Sequence, residues 1–444
     1  MDTESLLHDL IEKALKKGAD AADAVAATAT SIAHAQRLGK MEKLERSEAH
    51  DMGLRVIIGK RQAVVSSNDW KADALDQLVD QAIAMAKVVP EDPHIGLADP
   101  DQIFKGPFKD LDLYDEVEPS AETLIERAKA AEDAALGVEG ITNSEGAEAD
   151  WSRWDIRLAA SNGFSGGYQN SRHGVGVSVL AGEGTGMESD YDFHSTVHGE
   201  DLEDPVQVGL RAARKAVEKL NPKKGATGQF PIIFDPRVAN SIPRHLAGAI
   251  NGASVARGTS FLKDKLHQQV MSSGITIVED PHRIRGLASK PFDAEGLKNY
   301  AKNLVDEGNL TTWVLDLRTA RQLGMESTGN ASRGAGSPPS PSITNLYIEA
   351  GAITPHEMIS DIKTGFYVTS LMGQGVNGIT GDYSRGASGF WIENGEFVYP
   401  VNEMTIAGNL KDMFMHLTAA NDLEFRYGTN APTLRIDGMT IAGM

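Results

Sequence analysis

Histidines raise the first chemical question, because the chain has 12 of them and no cysteine. His356-Glu357-Met358-Ile359-Ser360 opens like the metal-binding helix of a zinc peptidase. Such a helix needs a second imidazole one turn later, so that both reach one ion from the same face. Ser360 occupies that position, and Pro355 before His356 marks a helix start. The pair reads as first-turn residues. His194 and His198 have a spacing that works on a helix, but Tyr191 to Val197 alternates like a strand. Four strand residues span about 13 Å, too far for two imidazoles that must each lie roughly 2.1 Å from one ion. They read as solvated strand histidines.

Gly373-Gln374-Gly375-Val376-Asn377-Gly378 matches the dinucleotide fingerprint and follows an apolar strand, Phe366 to Leu371. Those glycines must open a helix whose N-terminus receives a pyrophosphate. The residues after them, Ile379-Thr380-Gly381-Asp382-Tyr383-Ser384-Arg385-Gly386, cannot sustain a helix. The run reads as a turn between strands. No GxSxG elbow is present, and a Ser-His-Asp triad is defined by geometry rather than by order along a chain. From the residues alone, no intact catalytic motif emerges.

Composition narrows the classes further. The chain has 444 residues, 43 basic against 62 acidic, and a net charge of −19. A phosphate-tracking surface needs clustered Lys and Arg, because affinity comes from releasing counterions. Direct nucleic-acid binding is therefore not expected. The absence of cysteine excludes disulfides, thiolate zinc sites and a Cys nucleophile. The opening MDTESLLHDLIEKALKKGAD is an amphipathic helix carrying charges throughout, not a basic start followed by an apolar run. No stretch approaches the roughly 20 apolar residues of a membrane span. A cytoplasmic protein without membrane contact is expected.

The elements that must position any site fall into three segments, 1–107, 108–225 and 226–444. The first places a helix, a strand from Ala24 to Ala35, a hairpin turning at Gly59-Lys60-Arg61, and a helix from Leu75 to Ala86. A proline-rich linker, 90–107, comes next. The second segment repeats that grammar with a helix over 120–136, strands over 140–150, 153–161, 174–181 and 187–197, and a closing helix over 204–220. The third is rich in glycine and short β runs. It is expected to form a large β-barrel or sandwich, with short helices at 237–249, 293–307 and 359–363. The fold class is α+β, with N-terminal α/β segments that combine mixed sheets and flanking helices.

The C-terminal half resembles the TldD/PmbA family. The resemblance rests on Arg257-Gly258-Thr259-Ser260-Phe261-Leu262, Ser327-Thr328-Gly329-Asn330-Ala331 and Thr344-Asn345-Leu346-Tyr347-Ile348-Glu349-Ala350-Gly351. Most specific is the run from Thr364 to Glu396, followed by Tyr399-Pro400-Val401 and Thr405 to Leu410. The N-terminal layout, including GLRVIIGKRQAVVSSND, agrees as well. In the TldD branch an HExxxH motif precedes the Arg-Gly-Thr-Ser run, and a cysteine further on is the third zinc ligand. The corresponding segment here, Ser241 to Ile250, offers only His245 and no glutamate, and Pro243 interrupts it. A catalytic zinc needs three protein ligands and a water.

The resemblance therefore implies the PmbA branch, also called TldE. It implies a non-catalytic subunit of a heterodimeric zinc metallopeptidase that degrades unfolded or flexible peptides held as an added β-strand. No metal or other cofactor is expected in this chain, and zinc is expected in the HExxxH partner. A homodimer is expected when that partner is missing. By position, Gly258, Thr259 and Ser260 would line the peptide chamber, or else form a structural turn with Arg257 and Leu262. The run from Gly373 to Gly389, with Gly375, would be a close-approach surface for substrate or partner. Arg385, the fixed positive charge of that run, reads first as a salt bridge within the turn. The rival implied by the older gyrase-modulator label is a homodimeric peptide-binding or regulatory protein without proteolysis.

Overall fold

The computed structural model describes residues 2–443. Its N-terminal part is built on six antiparallel strands, β1 (Ala21–Arg37), β2 (Lys40–Ile58), β3 (Arg61–Ser67), β4 (Ile141–Ala160), β5 (Ser165–Ala181) and β6 (Glu188–Thr196). They form one sheet in the order β3-β2-β1-β4-β5-β6. The first two sequence segments thus share a sheet, because β1 pairs with β4 from Asp23↔Ala160 to Gln36↔Ala147. Where the sequence suggests two strands over 140–161, one unbroken strand runs from Ile141 to Ala160. Trp151 faces the core, and the main chain is paired with β1 from Ala147 to Ala160 and with β5 on its other side, where the register shifts at Ile141/Asn143 and Ser144/Gly146.

Four helices cover one face of this sheet: α1 (Thr3–Lys16), α2 (Ala72–Ala86), α3 (Ala121–Leu136) and α4 (Pro205–Glu218). Residues of one parity along β1 point to them, as the two-residue strand period requires. Ala22, Ala24 and Ala26 pack with Leu7, Leu10, Leu78 and Val79. Ile32 packs with Leu124, Ala128 and Ala212. The opposite parity meets the C-terminal domain, where Val25, Leu158 and Phe164 pack against Phe292. Asp23 is the polar link there, accepting from Arg55 Nε at 2.8 Å and also binding Arg333. All three of these side chains are almost fully buried.

The C-terminal domain is organised around a closed barrel of β7 (Gly228–Phe234), β8 (Thr364–Met372), β9 (Asp382–Glu393), β10 (Glu396–Asn409) and β11 (Leu434–Gly443). β7 runs parallel to β8, the remaining pairs are antiparallel, and the β10–β11 pairing closes the ring. Ile232, Phe234, Phe366, Trp391, Ile406 and Ile436 fill its core. The α+β class and the C-terminal barrel agree with the sequence expectation.

The helices inserted in this domain differ from it. The span 237–249 is divided into Pro236–Ala239 and Ser241–Ala249, and Gly252–Ala256 comes after them. Pro243 does not interrupt its segment. It lies in the first turn of Ser241–Ala249, where no intrahelical N–H is required. No helix forms over 293–307. Asp293 Oδ1 accepts the N–H of Glu295 at 2.9 Å and of Leu297 at 2.8 Å, an alternative to helical bonding, and Lys302–Asp306 is a strand. The helix expected at 359–363 starts earlier, at Pro355–Ser360. Among the described residues no helix is long and apolar enough to cross a membrane.

Candidate functional site

Helix Ser241–Ala249 buries Ile242, Leu246 and Ala249 in the barrel core. His245, one residue off that stripe, is only partly buried. It faces β9, where Tyr383 and Arg385 share one side of the strand because they are two residues apart. The His245 and Tyr383 rings meet edge-on at 5.8 Å between centroids. His245 Nε2, Tyr383 Oη and Arg385 Nε are buried and have no hydrogen-bond partner among the described residues. Burial pushes the His245 imidazolium down to about 4, and the Arg385 guanidinium adds to the shift. Burial raises the Tyr383 hydroxyl to about 12, with Arg385 acting against it. At neutral pH the cluster is thus a neutral imidazole, a neutral phenol and a fixed cation. Arg385 makes no ion pair among the described residues, so the salt bridge expected in its turn is replaced by this inward-facing position.

The two recognition runs meet beside the cluster. Asn251 caps Gly252–Ala256 by accepting from Ala253 N at 3.0 Å, and the helix ends where Gly258 adopts a φ of +69°. Arg257, Gly258 and Thr259 are exposed. Ser260 is not: its hydroxyl donates to Ala249 O at 2.6 Å and accepts from Leu262 N at 3.0 Å, which ties the turn to the preceding helix. Phe261 N then donates to Gly378 O at 3.1 Å. The run from Gly373 to Gly381 lies mostly exposed at the barrel rim, and Ser384 N donates to Gly375 O at 2.7 Å. A side chain at Gly375 would put its Cβ 1.9 Å from Ser384 O, so only glycine allows this approach.

The structure therefore brings His245, Gly375 and Arg385 together, with Arg257, Gly258 and Thr259 on the adjoining rim and Ser260 beneath it. Sequence reading misses Tyr383. The signal is available: once Asp382–Glu393 is read as a strand, Tyr383 shares a face with Arg385.

The other motifs resolve into structure. Glu357 forms a capping box with Thr354, and His356 lies exposed in the same first turn. His194 Nδ1 accepts from Glu203 N at 3.1 Å, whereas His198 Nε2 lies 3.0 Å from Asp112 Oδ1. The two imidazoles have separate partners. Gly373 to Gly378 links β8 to β9 and opens no helix. A cavity of about 540 Å³ lies between α4 and the barrel, walled by Tyr367, Phe390 and Phe397. Of its cations, Arg237 and Lys219 are both taken up by Asp190, and Lys215 lies 3.4 Å from Asp192.

These residues do not fit a catalytic zinc. The helix facing β9 presents one imidazole, and the charge that acts on it is the Arg385 guanidinium, which repels a divalent cation. Among the described residues no three His, Asp or Glu side chains converge as a ligand set.

The PmbA/TldA metallopeptidase domain 1 matches residues 20–86, the central domain of the same family matches 114–220, and its C-terminal domain matches 227–443. The chain is 38% identical over 445 residues to the metalloprotease PmbA of Escherichia coli O157:H7, covering 99% of this chain and 96% of that one. A crystal structure of a modulator of DNA gyrase from Bacteroides thetaiotaomicron superimposes with a TM-score of 0.92 at 26% identity, covering 99% of this chain and 98% of that one. TldE from Thermococcus kodakarensis shares the fold, with a TM-score of 0.87 at 22% identity over 99% of this chain and 100% of that one. By profile, identity and coverage together, this chain is a member of the PmbA/TldD metallopeptidase family.

Proposed function

We propose that the chain is a metal-free, TldE-type subunit of a cytosolic zinc metallopeptidase whose HExxxH partner supplies the metal. One observation carries this reading: opposite the sole histidine of helix Ser241–Ala249 stands the cation Arg385. The name metalloprotease on its relative fits a chain that works in such a complex without holding the ion. The role of this chain would be to hold an unfolded or flexible peptide. An extended peptide bound as an added strand is recognised through its main chain, which accounts for broad specificity. Gly373, Gly375 and Gly378 of the exposed run and Gly258 on the adjoining rim offer bare backbone at that place, between the exposed side chains of Arg257, Gln374 and Ile379.

The test measures zinc content and cleavage of casein or an unstructured peptide. It uses this chain alone, its HExxxH homologue alone and the two mixed, each with a chelator control. The expected result is neither zinc nor cleavage from this chain alone, and chelator-sensitive cleavage in the mixture. Stoichiometric zinc on this chain, or cleavage by it alone, would overturn the proposal. A second reading, a homodimeric peptide-binding regulator, is favoured by the gyrase-modulator description of the Bacteroides structure. It predicts peptide binding by this chain with no gain in cleavage on mixing.

A further inference from the structure

Buried polar atoms without a partner are uncommon in folded proteins, and each calls for a reason. Elsewhere in this chain they are scattered or sit beside an opposite charge. His173 Nε2 lies 3.0 Å from Asp115 Oδ2, and Arg333 pairs with Asp23. At the barrel rim three converge, His245 Nε2, Tyr383 Oη and Arg385 Nε, and Arg385 is the one charge that acts on either ring. Tyr383 is 2% exposed, so its hydroxyl cannot turn to bulk water. Strand parity sends Asp382 to the face opposite Arg385. There it accepts from Thr380 Oγ1 at 2.6 Å and Asn409 Nδ2 at 3.1 Å. In a chain with 62 acidic residues, this cation has been left without one.

We propose that His245, Tyr383 and Arg385 form a carboxylate-binding site, which holds a peptide by its C-terminal carboxylate or by an acidic side chain. All three groups can donate at once. A guanidinium only donates, a phenol donates its proton, and a neutral imidazole donates from Nε2 in one tautomer. A peptide carbonyl offers a single oxygen and no charge. A carboxylate brings two oxygens, lone pairs enough for three donors, and the negative charge that Arg385 lacks. A phosphate dianion fits less well, because only one fixed cation faces it.

The site opens toward free space rather than packed core. His245 and Arg385 are each partly exposed. Apart from its own helix, no atom lies within 4 Å of the place a Cβ would take at Gly248, one turn after His245. The same holds at Gly258 and Gly378 on the adjoining rim. The carboxylate chemistry stands on these groups alone, whereas its bearer being a peptide rests on the function proposed above.

The test is an NMR titration of the full chain with sodium acetate. Sodium chloride at equal concentration is the control, and His245→Gln identifies the imidazole signals. Acetate should shift the His245 resonances to saturation, and chloride should not. The acetate Kd should rise about tenfold or more in Arg385→Met and about fivefold in Tyr383→Phe. Arg385→Lys keeps the charge but loses the planar fork, and should fall between wild type and Arg385→Met. The absence of a saturable shift would overturn the proposal, as would inorganic phosphate binding more tightly than acetate.

Competition against acetate identifies the source of the carboxylate. N-acetyl-triglycine should displace acetate if the site takes a C-terminus. A glycine peptide amide with one internal glutamate should do so if it takes a side chain. Displacement by N-acetyl-triglycine amide as strong as by the free acid would overturn the carboxylate site and leave main-chain recognition standing. A site that takes acetate but neither carboxylate peptide would overturn its assignment to peptides. Carboxylate binding by a chain whose mixture with the HExxxH homologue cleaves nothing would refute the peptidase reading and leave this site in place.

Discussion

Two polar sites inside the C-terminal domain differ in one respect that separates architecture from function. Glu279 is fully buried, and each of its oxygens is bonded. Lys302 Nζ donates at 2.7 Å, Asn330 Nδ2 at 2.9 Å, Thr344 N at 2.9 Å and Thr344 Oγ1 at 2.6 Å. At the barrel rim, by contrast, His245 Nε2, Tyr383 Oη and Arg385 Nε find no hydrogen-bond partner among the described residues. Buried polar groups in folded proteins are overwhelmingly paired, so a satisfied hub explains itself as structure. Three unpaired groups converging beside an exposed glycine run do not. The contrast also reassigns two of the recognisable runs. Ser327 to Ala331 and Thr344 to Gly351 converge on Glu279, so they mark the fold of the family rather than its chemistry.

Breaking the hub should have the largest effect on stability. Glu279→Ala leaves the Lys302 ammonium buried with Asn330 Oδ1 as its remaining acceptor and Thr344 N–H without its partner, and should cost about 3–5 kcal/mol. Denaturant unfolding reads this directly, and a loss below about 1 kcal/mol, the size of a single ordinary hydrogen bond, would mean that the hub relaxes without penalty. The rim cluster should respond to pH instead. The histidine is held near 4 in the folded chain against 6.5 for an unperturbed side chain. Between those values the unfolded state binds the extra proton, so stability falls as pH drops through the window. The difference amounts to about 3 kcal/mol once pH 4 is passed. Asp293 titrates in the opposite sense, its carboxyl raised to about 6 by burial, so the measurement must be a difference. Wild type should lose stability between pH 6.5 and 4 relative to His245→Gln, and parallel curves would place His245 in water.

The range of each interaction decides how much of this was legible in the sequence. Strand and helix periods are local, so most strands of the six-stranded sheet, α1 to α4 and one barrel strand, β8, could be read from the residues, while the other barrel strands were legible only as a β-rich region. The hairpin at Gly59-Lys60 declared itself through its turn chemistry. What escaped depends on contacts distant in sequence. Nothing near Ile141–Ala160 says that β1 and β5 keep one strand continuous across two apparent ones. Asp293 defeats a helical pattern through a side chain that captures two backbone N–H groups. His245 and Arg385 stand out separately, one by resemblance and the other by charge. Their meeting requires a helix and a strand that lie far apart in the chain. Tyr383 carried the local clue of strand parity with Arg385, but its partner across the barrel rim was out of reach.

A smaller structural change sharpens the same contrast. Gly375→Ala must move the Ser384 carbonyl or the loop itself, and overpacking of this kind costs about 1–3 kcal/mol. Because the run is exposed, the damage should stay local, appearing as faster hydrogen exchange at Val376 and Ser384 with the barrel core unchanged.

The smallest expected effect on stability belongs to Arg385, and for that reason it separates the two sites most sharply. Its Nε bonds to no protein group and it forms no ion pair among the described residues, so Arg385→Met removes charge while keeping much of the apolar stem. Unfolding midpoints should move by less than about 1 kcal/mol, the range of substitutions that break no pairing. The nearby imidazole should respond, because a cation that disfavours its protonation has gone, and its titration should shift upward in NMR. On the proposed function, cleavage by a mixture of this chain with its HExxxH homologue should fall while the stability of this chain holds. A residue kept only for packing would show the reverse pattern, with stability lost and the imidazole unmoved, and would remove the distinction between the rim and the hub.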